Sequence, residues 1–218
     1  MFDKHILCVI LHDISEINYG NIDIPKKDLE KLCDFVYSKG LRFVSAKEYF
    51  KSAIKNDLII CTFDDAYENI YDLGFPIFQK FNFTATVFVC SDYIGVNNEW
   101  NKKDKKNRKH LDLKKLKDLE NQGWEIGSHG TNHFSLLRLD REEILNTLEK
   151  SKHELEKHFQ SIISFAYPYG DYNYYISKIA KTIYENIFAV DTGGTHIIID
   201  RQQIRRYSTD DLIKILIS

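Results

Sequence analysis

Apolar runs of strand length alternate with amphipathic segments along the chain, and this alternation confines it to a β/α architecture. Ile6–Leu11 reads as a buried strand, and a helix opened by Pro25 in its first turn runs towards Gly40. Leu41–Val44 is a second strand, after which Ser45 and Glu48 form a capping box that opens a short helix. Leu58–Phe63 is a third strand, Tyr67–Lys80 a helical region interrupted around Gly74-Phe75-Pro76, and Thr84–Cys90 a fourth strand. Leu113–Gln122 reads as helix and Trp124–Gly127 as strand. Asp140 and Glu143 make a second capping box, before a helix to about Phe159 with Ile144, Leu148, Leu155 and Phe159 on one side. Ile162–Phe165, a helix near Tyr174–Tyr184, and Ile187–Val190 complete the series. Parallel neighbours need crossovers, so strand-then-helix units imply a mostly parallel sheet. With 218 residues and no linker or internal repeat, the expectation is one domain over residues 1–218, of α/β class and barrel-like closure.

Thirty Lys and Arg against 32 Asp and Glu give a net charge of -2, which offers no reason to expect nucleic acid as a partner. No apolar run approaches the roughly 20 residues of a spanning helix. The first residues lack a basic n-region, and Ile6–Leu11 is too short for a signal h-region, so a cytoplasmic location is the expectation. Cys8, Cys33, Cys61 and Cys90 show no metal-type spacing and read as reduced, mostly buried thiols. Lys102-Lys103-Asp104-Lys105-Lys106-Asn107-Arg108-Lys109 is a basic run with two readings. It is either a solvated loop or a contact for an anionic carrier, such as a lipid-linked sugar phosphate or a membrane surface.

Active sites of parallel β/α architectures form at the carboxyl ends of strands. Asp64 and Asp65 lie at that end of Leu58–Phe63, and His129 and His133 follow Trp124–Gly127. Consecutive side chains on an extended backbone diverge, so one aspartate can bind a metal while its neighbour stays unligated. Two imidazoles and a carboxylate are the facial set of a catalytic Zn²⁺ with open positions, and non-haem iron uses the same set. The free aspartate favours hydrolysis, because an activated water needs a base and no redox partner. Phe165-Ala166-Tyr167-Pro168-Tyr169-Gly170 is either a packed Pro/Gly turn or one that aims a backbone N–H at an oxyanion. His12, near the end of the first strand, is a further candidate for a site role. His5, His110, His153 and His158 read as terminal, loop and helix-surface residues.

Thr62-Phe63-Asp64-Asp65-Ala66 is similar to a TFDDG motif with Ala66 in place of glycine. His129 to His133 is similar to H-[ST]-x-x-H with Gly130 at the usual hydroxyl position, and Phe165 to Gly170 to a FAYPYG motif. Leu11-His12-Asp13-Ile14 is similar to a YHDI opening, and Gly123-Trp124-Glu125-Ile126-Gly127 adds to the likeness. In this order they resemble the polysaccharide deacetylases of carbohydrate esterase family 4, in the subgroup with FAYPYG. The resemblance implies a distorted (β/α)₇ barrel with Asp65, His129 and His133 holding a divalent metal, commonly Zn²⁺. It implies Asp64 as the base acting on the water at the metal, and the Tyr169 amide as an oxyanion donor. The arginine usual in the third motif is replaced by Ala166, and Arg206 in Ile204-Arg205-Arg206-Tyr207 is the best match for it, with Arg205 the near alternative. The late Leu-x-His segment that carries a general acid is not recognisable; His196 is a substitute or a loop histidine.

The activity implied is metal-dependent removal of an N-acyl group from an amino sugar in a glycan or glycolipid. The alternatives are another C–N hydrolase on the same fold, cleaving a formyl group or a cyclic amide, and a catalytically silent glycan-binding domain.

Overall fold

A computed structural model describes residues 6–17, 22–98, 100, 108–190 and 203–217. Its elements follow the alternation in the sequence. The first half contains β1 (Cys8–Leu11), β2 (Asp13–Ser15), β3 (Asp23–Pro25), α1 (Lys26–Ser38), β4 (Arg42–Val44), α2 (Ala46–Lys51), β5 (Leu58–Phe63), α3 (Phe75–Lys80) and β6 (Thr86–Val89). The second half contains α4 (Leu113–Asn121), β7 (Glu125–Ser128), α5 (Arg141–Glu156), β8 (Ser164–Ala166), α6 (Tyr174–Ile183), β9 (Asn186–Val190), β10 (Ile204–Arg206) and α7 (Thr209–Ile217).

All strand pairs are parallel, and the main sheet runs β1-β5-β6-β7-β8-β9-β10. The ring closes where Ile10 N donates to Tyr207 O at 3.0 Å and Tyr207 N donates to Cys8 O at 2.7 Å. β4 and β6 share one edge of β5, β4 against Leu58–Ile60 and β6 against Thr62–Phe63. The result is a distorted (β/α)₇ barrel in which β4 wedges beneath β6. Its interior is filled by Cys8, Ile60, Phe88, Ala166 and Phe188, with the two phenylalanine rings 5.1 Å apart. Phe63, Phe78 and Trp124 pack between the barrel and its helices. Gly127 is required on β7, since a Cβ there would come within 2.6 Å of the Phe88 ring. All four cysteines are buried free thiols, and burial pushes each of them up. None of the described helices is long and apolar enough to cross a membrane.

Local departures from the sequence reading have local causes. Pro25 ends β3 and caps α1 instead of sitting in its first turn. The expected Ser45–Glu48 box is half formed: Ser45 Oγ accepts from Glu48 N, but the Glu48 carboxylate turns to Arg42 and Thr84. A stronger charged partner wins that carboxylate. The Asp140–Glu143 box is complete. The interruption before Pro76 is one π turn, Ile70–Gly74, in which Phe75 N–H reaches back to Ile70 O. Proline lacks the N–H that would continue the α ladder there. β2, β3, β10 and α7 were not among the expected elements; each of the three strands has only three residues.

Candidate active site

The carboxyl ends of β5, β7 and β8 bring the motif residues together. β5 stops at Phe63, and Asp64 N is held by Leu11 O at 2.9 Å. Beyond it the backbone turns left-handed, with φ 67° at Asp65 and 53° at Ala66. The two carboxylates diverge because of this turn, not because the strand continues extended as the sequence suggested. Left-handed backbone costs roughly 1–2 kcal/mol per residue that carries a Cβ, so Ala66 strains a position that suits glycine.

Asp65, His129 and His133 are buried, and one ligand atom of each lies within 4.8 Å of the others. Asp65 Oδ1 approaches His133 Nε2 at 3.2 Å and His129 Nε2 at 3.6 Å. Neither approach is aligned as a hydrogen bond, and Oδ1 has no such partner among the described residues. His129 Nδ1 lies 2.8 Å from Ala166 O. A carbonyl only accepts, so Nδ1 carries the proton and the Nε2 lone pair faces Asp65. A lone pair against a buried carboxylate oxygen repels unless a cation sits between them, so these residues fit a divalent cation. Burial pushes His129 down to about 4, against the pull of Asp64. Burial works against the Asp65 charge, yet His133 and His129 hold its carboxyl below the usual range. His133, at φ 57°, is stacked on Trp100 at 4.5 Å and meets the edge of Tyr169 at 4.4 Å.

Asp64 faces a different partner. Arg206 donates from Nη1 to Oδ1 at 2.5 Å and from Nη2 to Oδ2 at 2.8 Å. Burial opposes ionisation of Asp64, but the Arg206 charge and fork, with His129, hold it below the usual carboxylate range. Arg205 instead lies over the Tyr207 ring at 5.1 Å. Tyr169 has φ 60° in the Pro168–Gly170 turn and exposes 58% of its surface. His12 sits half-buried between β1 and β2, where its charge acts on both aspartates; it is outside the three-residue cluster.

One expectation needs correction and another needs extension. The loop histidine His110 is buried: it is 2% exposed, with Nδ1 2.6 Å from Asp65 O and its ring on Tyr67. Arg108 is not solvated either, since it donates to Asp13 at 2.9 Å and to Asp23 at 2.7 Å from a buried position. Neither was readable from spacing, because both make their contacts far along the chain. His153 and His158 are exposed as expected. His5, His196 and positions 102–107 of the basic run lie outside the described residues.

Comparison with known proteins gives the family. The family model for polysaccharide deacetylase matches residues 51–184, and the chain belongs to that family. It is 26% identical over 193 residues to the YxkH protein of Bacillus subtilis (strain 168), covering 85% of this chain and 64% of that protein. It is 28% identical over 167 residues to the poly-beta-1,6-N-acetyl-D-glucosamine N-deacetylase of Staphylococcus aureus (strain MSSA476), covering 69% of this chain and 54% of that one. The chain thus spans 54% to 64% of the length of these curated relatives. The Streptococcus pyogenes deacetylase PplD, solved in complex with acetate, matches with a TM-score of 0.82 at 19% identity over 98% of both chains. At that identity the likeness is one of fold.

Proposed function

We propose that this chain is a metal-dependent hydrolase that removes an N-acyl group, N-acetyl foremost, from an amino sugar in a glycan or lipid-linked glycan. The observation that carries the reading is the pairing of a buried Asp65–His129–His133 cluster with an adjacent aspartate, Asp64, that is gripped by Arg206. Family membership supports the reaction class, and the staphylococcal relative supports an N-acetylglucosamine polymer as the first substrate to try.

Asp65, His129 and His133 would hold the cation, with Zn²⁺ the first candidate for two nitrogens and one oxygen. When bound, a cation there supplies Lewis-acid chemistry, acidifying water and polarising the acyl oxygen. Asp64 takes the proton of the attacking water. Arg206 keeps Asp64 ionised at neutral pH and fixes its direction. The Tyr169 N–H donates to the oxygen that becomes negative as the tetrahedral centre forms. His12, at the same end of the barrel, returns a proton to the departing amine. Tyr169 and Trp100, on either side of His133, offer aromatic surface to the sugar. Lys102, Lys103, Lys105 and Lys106 are proposed, from sequence alone, to meet an anionic carrier.

The test is acetate release from β-1,6-linked N-acetylglucosamine oligomers and from chitooligosaccharides by protein loaded with Zn²⁺ or Co²⁺. Release that chelator abolishes and metal restores is the expected result. Bound metal without acetate release from any N-acetylated oligosaccharide would turn the reading towards a different acyl substrate or a silent binding domain.

A further inference from the structure

We propose that His110 is a positioning residue that aims the Asp65 carboxylate by holding the backbone of Asp65; this rests on the metal site proposed above. Asp65 and Ala66 are left-handed in succession, at φ 67° and 53°. Side chains rarely adopt that backbone, and the direction of the Asp65 carboxylate follows from it. Something outside the turn must hold it there, because β5 has already ended at Phe63.

The holder is the segment from Arg108 to Leu111, paired antiparallel to the turn at Tyr67 and His110. Glu68 N donates to Lys109 O at 2.8 Å, and Leu111 N donates to Ala66 O at 2.8 Å. His110 Nδ1 donates to Asp65 O at 2.6 Å, the one side-chain bond of the three and the one on the proposed ligand residue itself. The acceptor is a carbonyl, so this nitrogen must carry its proton. The ring cannot swing away: Tyr67 stacks on it at 5.1 Å, and Trp100 and Tyr93 approach at 4.7 and 5.4 Å. Arg108, tied to Asp13 on β2 and Asp23 on β3, sets the register of the segment. His110 therefore stands to Asp65 as Ala166 O stands to His129, an outer hydrogen bond that fixes the orientation of a proposed ligand.

The experiment measures Co²⁺ and Zn²⁺ affinity of the full chain by competition with a chromophoric chelator. The d–d spectrum of the Co²⁺ form is a second readout, and the thermal midpoint of metal-free protein controls for folding. His110→Phe keeps a ring and loses the donor; it should weaken metal binding about 10- to 100-fold, the usual effect of losing an outer-shell partner. It should also alter the Co²⁺ spectrum. His110→Asn places an amide N–H near the Nδ1 position and should restore most of the affinity, whereas His110→Gln places it too far out. Wild-type affinity and spectrum in His110→Phe overturn the proposal. If the Phe variant does not fold, equal affinities in the Asn and Gln variants overturn it instead. His133→Ala separates this from the reading beneath: metal loss there beside an unaffected His110→Phe removes only the role of His110. Metal retention in His133→Ala removes the metal site as well.

Discussion

Arg206 grips both oxygens of Asp64, Nη1–Oδ1 at 2.5 Å and Nη2–Oδ2 at 2.8 Å, and with that fork it ties β10 to the residue after β5. Tyr207, the next residue, makes the hydrogen bonds that close the barrel onto β1. The proposed base and the barrel seam are therefore one piece of structure. A buried bidentate pair of this kind is strong in geometry, and its main energetic signature is what happens when one half is removed.

Arg206→Ala leaves Asp64 charged and unpaired inside the barrel. Removing one partner of a buried pair costs about 3–5 kcal/mol. For a domain of this size that is a fall of roughly 6–20 °C in the thermal midpoint. Arg206→Lys keeps the charge and loses the fork, so it should recover part of the stability but little of kcat. A midpoint within a degree of wild type in Arg206→Ala would show that the fork does not hold the seam.

Asp64 and Asp65 are identical side chains with opposed proposed jobs. Asp65→Asn should weaken metal binding by replacing a charged oxygen with a neutral one. Asp64→Asn should keep the metal and lose at least the roughly 10²- to 10⁴-fold that a general base contributes. Metal stoichiometry and kcat, measured on both variants, decide it. Metal loss from Asp64→Asn with retention in Asp65→Asn reverses the assignment.

The parts of this site that could be read from sequence are those with local causes. β5 is buried at every position, so it shows as an uninterrupted apolar run that delivers Asp64 and Asp65 to its end. His129 and the Pro168–Gly170 turn likewise follow strands closely, and His133 comes four residues after His129. The left-handed turn was hidden because Ala66 stands where glycine would have announced it. His110 bonds a residue 45 positions away, and the Arg206–Asp64 pair spans 142, so neither leaves a local pattern. Arg206 is reached through family resemblance; His110, lacking even that, reads only as a loop residue.

Acid should remove the Asp64 contribution. The folded protein holds Asp64 below the usual carboxylate range, despite its burial, through Arg206 and His129. The unfolded chain therefore takes up the proton first, near pH 3.9. The stability from this group is fully present above that value and is lost as pH falls through the lower, folded one. Asp65 acts in the same direction in metal-free protein. The gap in thermal midpoint between metal-free wild type and Asp64→Asn should narrow steadily below about pH 4. A gap independent of pH would mean that Asp64 titrates alike in both states.

The basic run should split into two kinds of residue. Arg108 is 7% exposed and bonded to Asp13 and Asp23, whose side chains are fully buried. Arg108→Gln would remove the guanidinium that donates to both carboxylates, and breaking a buried pair from one side costs about 3–5 kcal/mol. It should also loosen the segment that carries His110, so metal affinity should fall along with the thermal midpoint. Lys102, Lys103, Lys105 and Lys106 should behave otherwise. Replacing all four with Gln should leave the midpoint within a degree or two. It should raise KM for a lipid-linked phosphate substrate at low salt while leaving KM for a neutral oligosaccharide unchanged, because screening weakens only the charged contact. Equal effects on both substrates would remove the anionic carrier. A neutral outcome for Arg108→Gln would mean that the buried cation does not anchor the site.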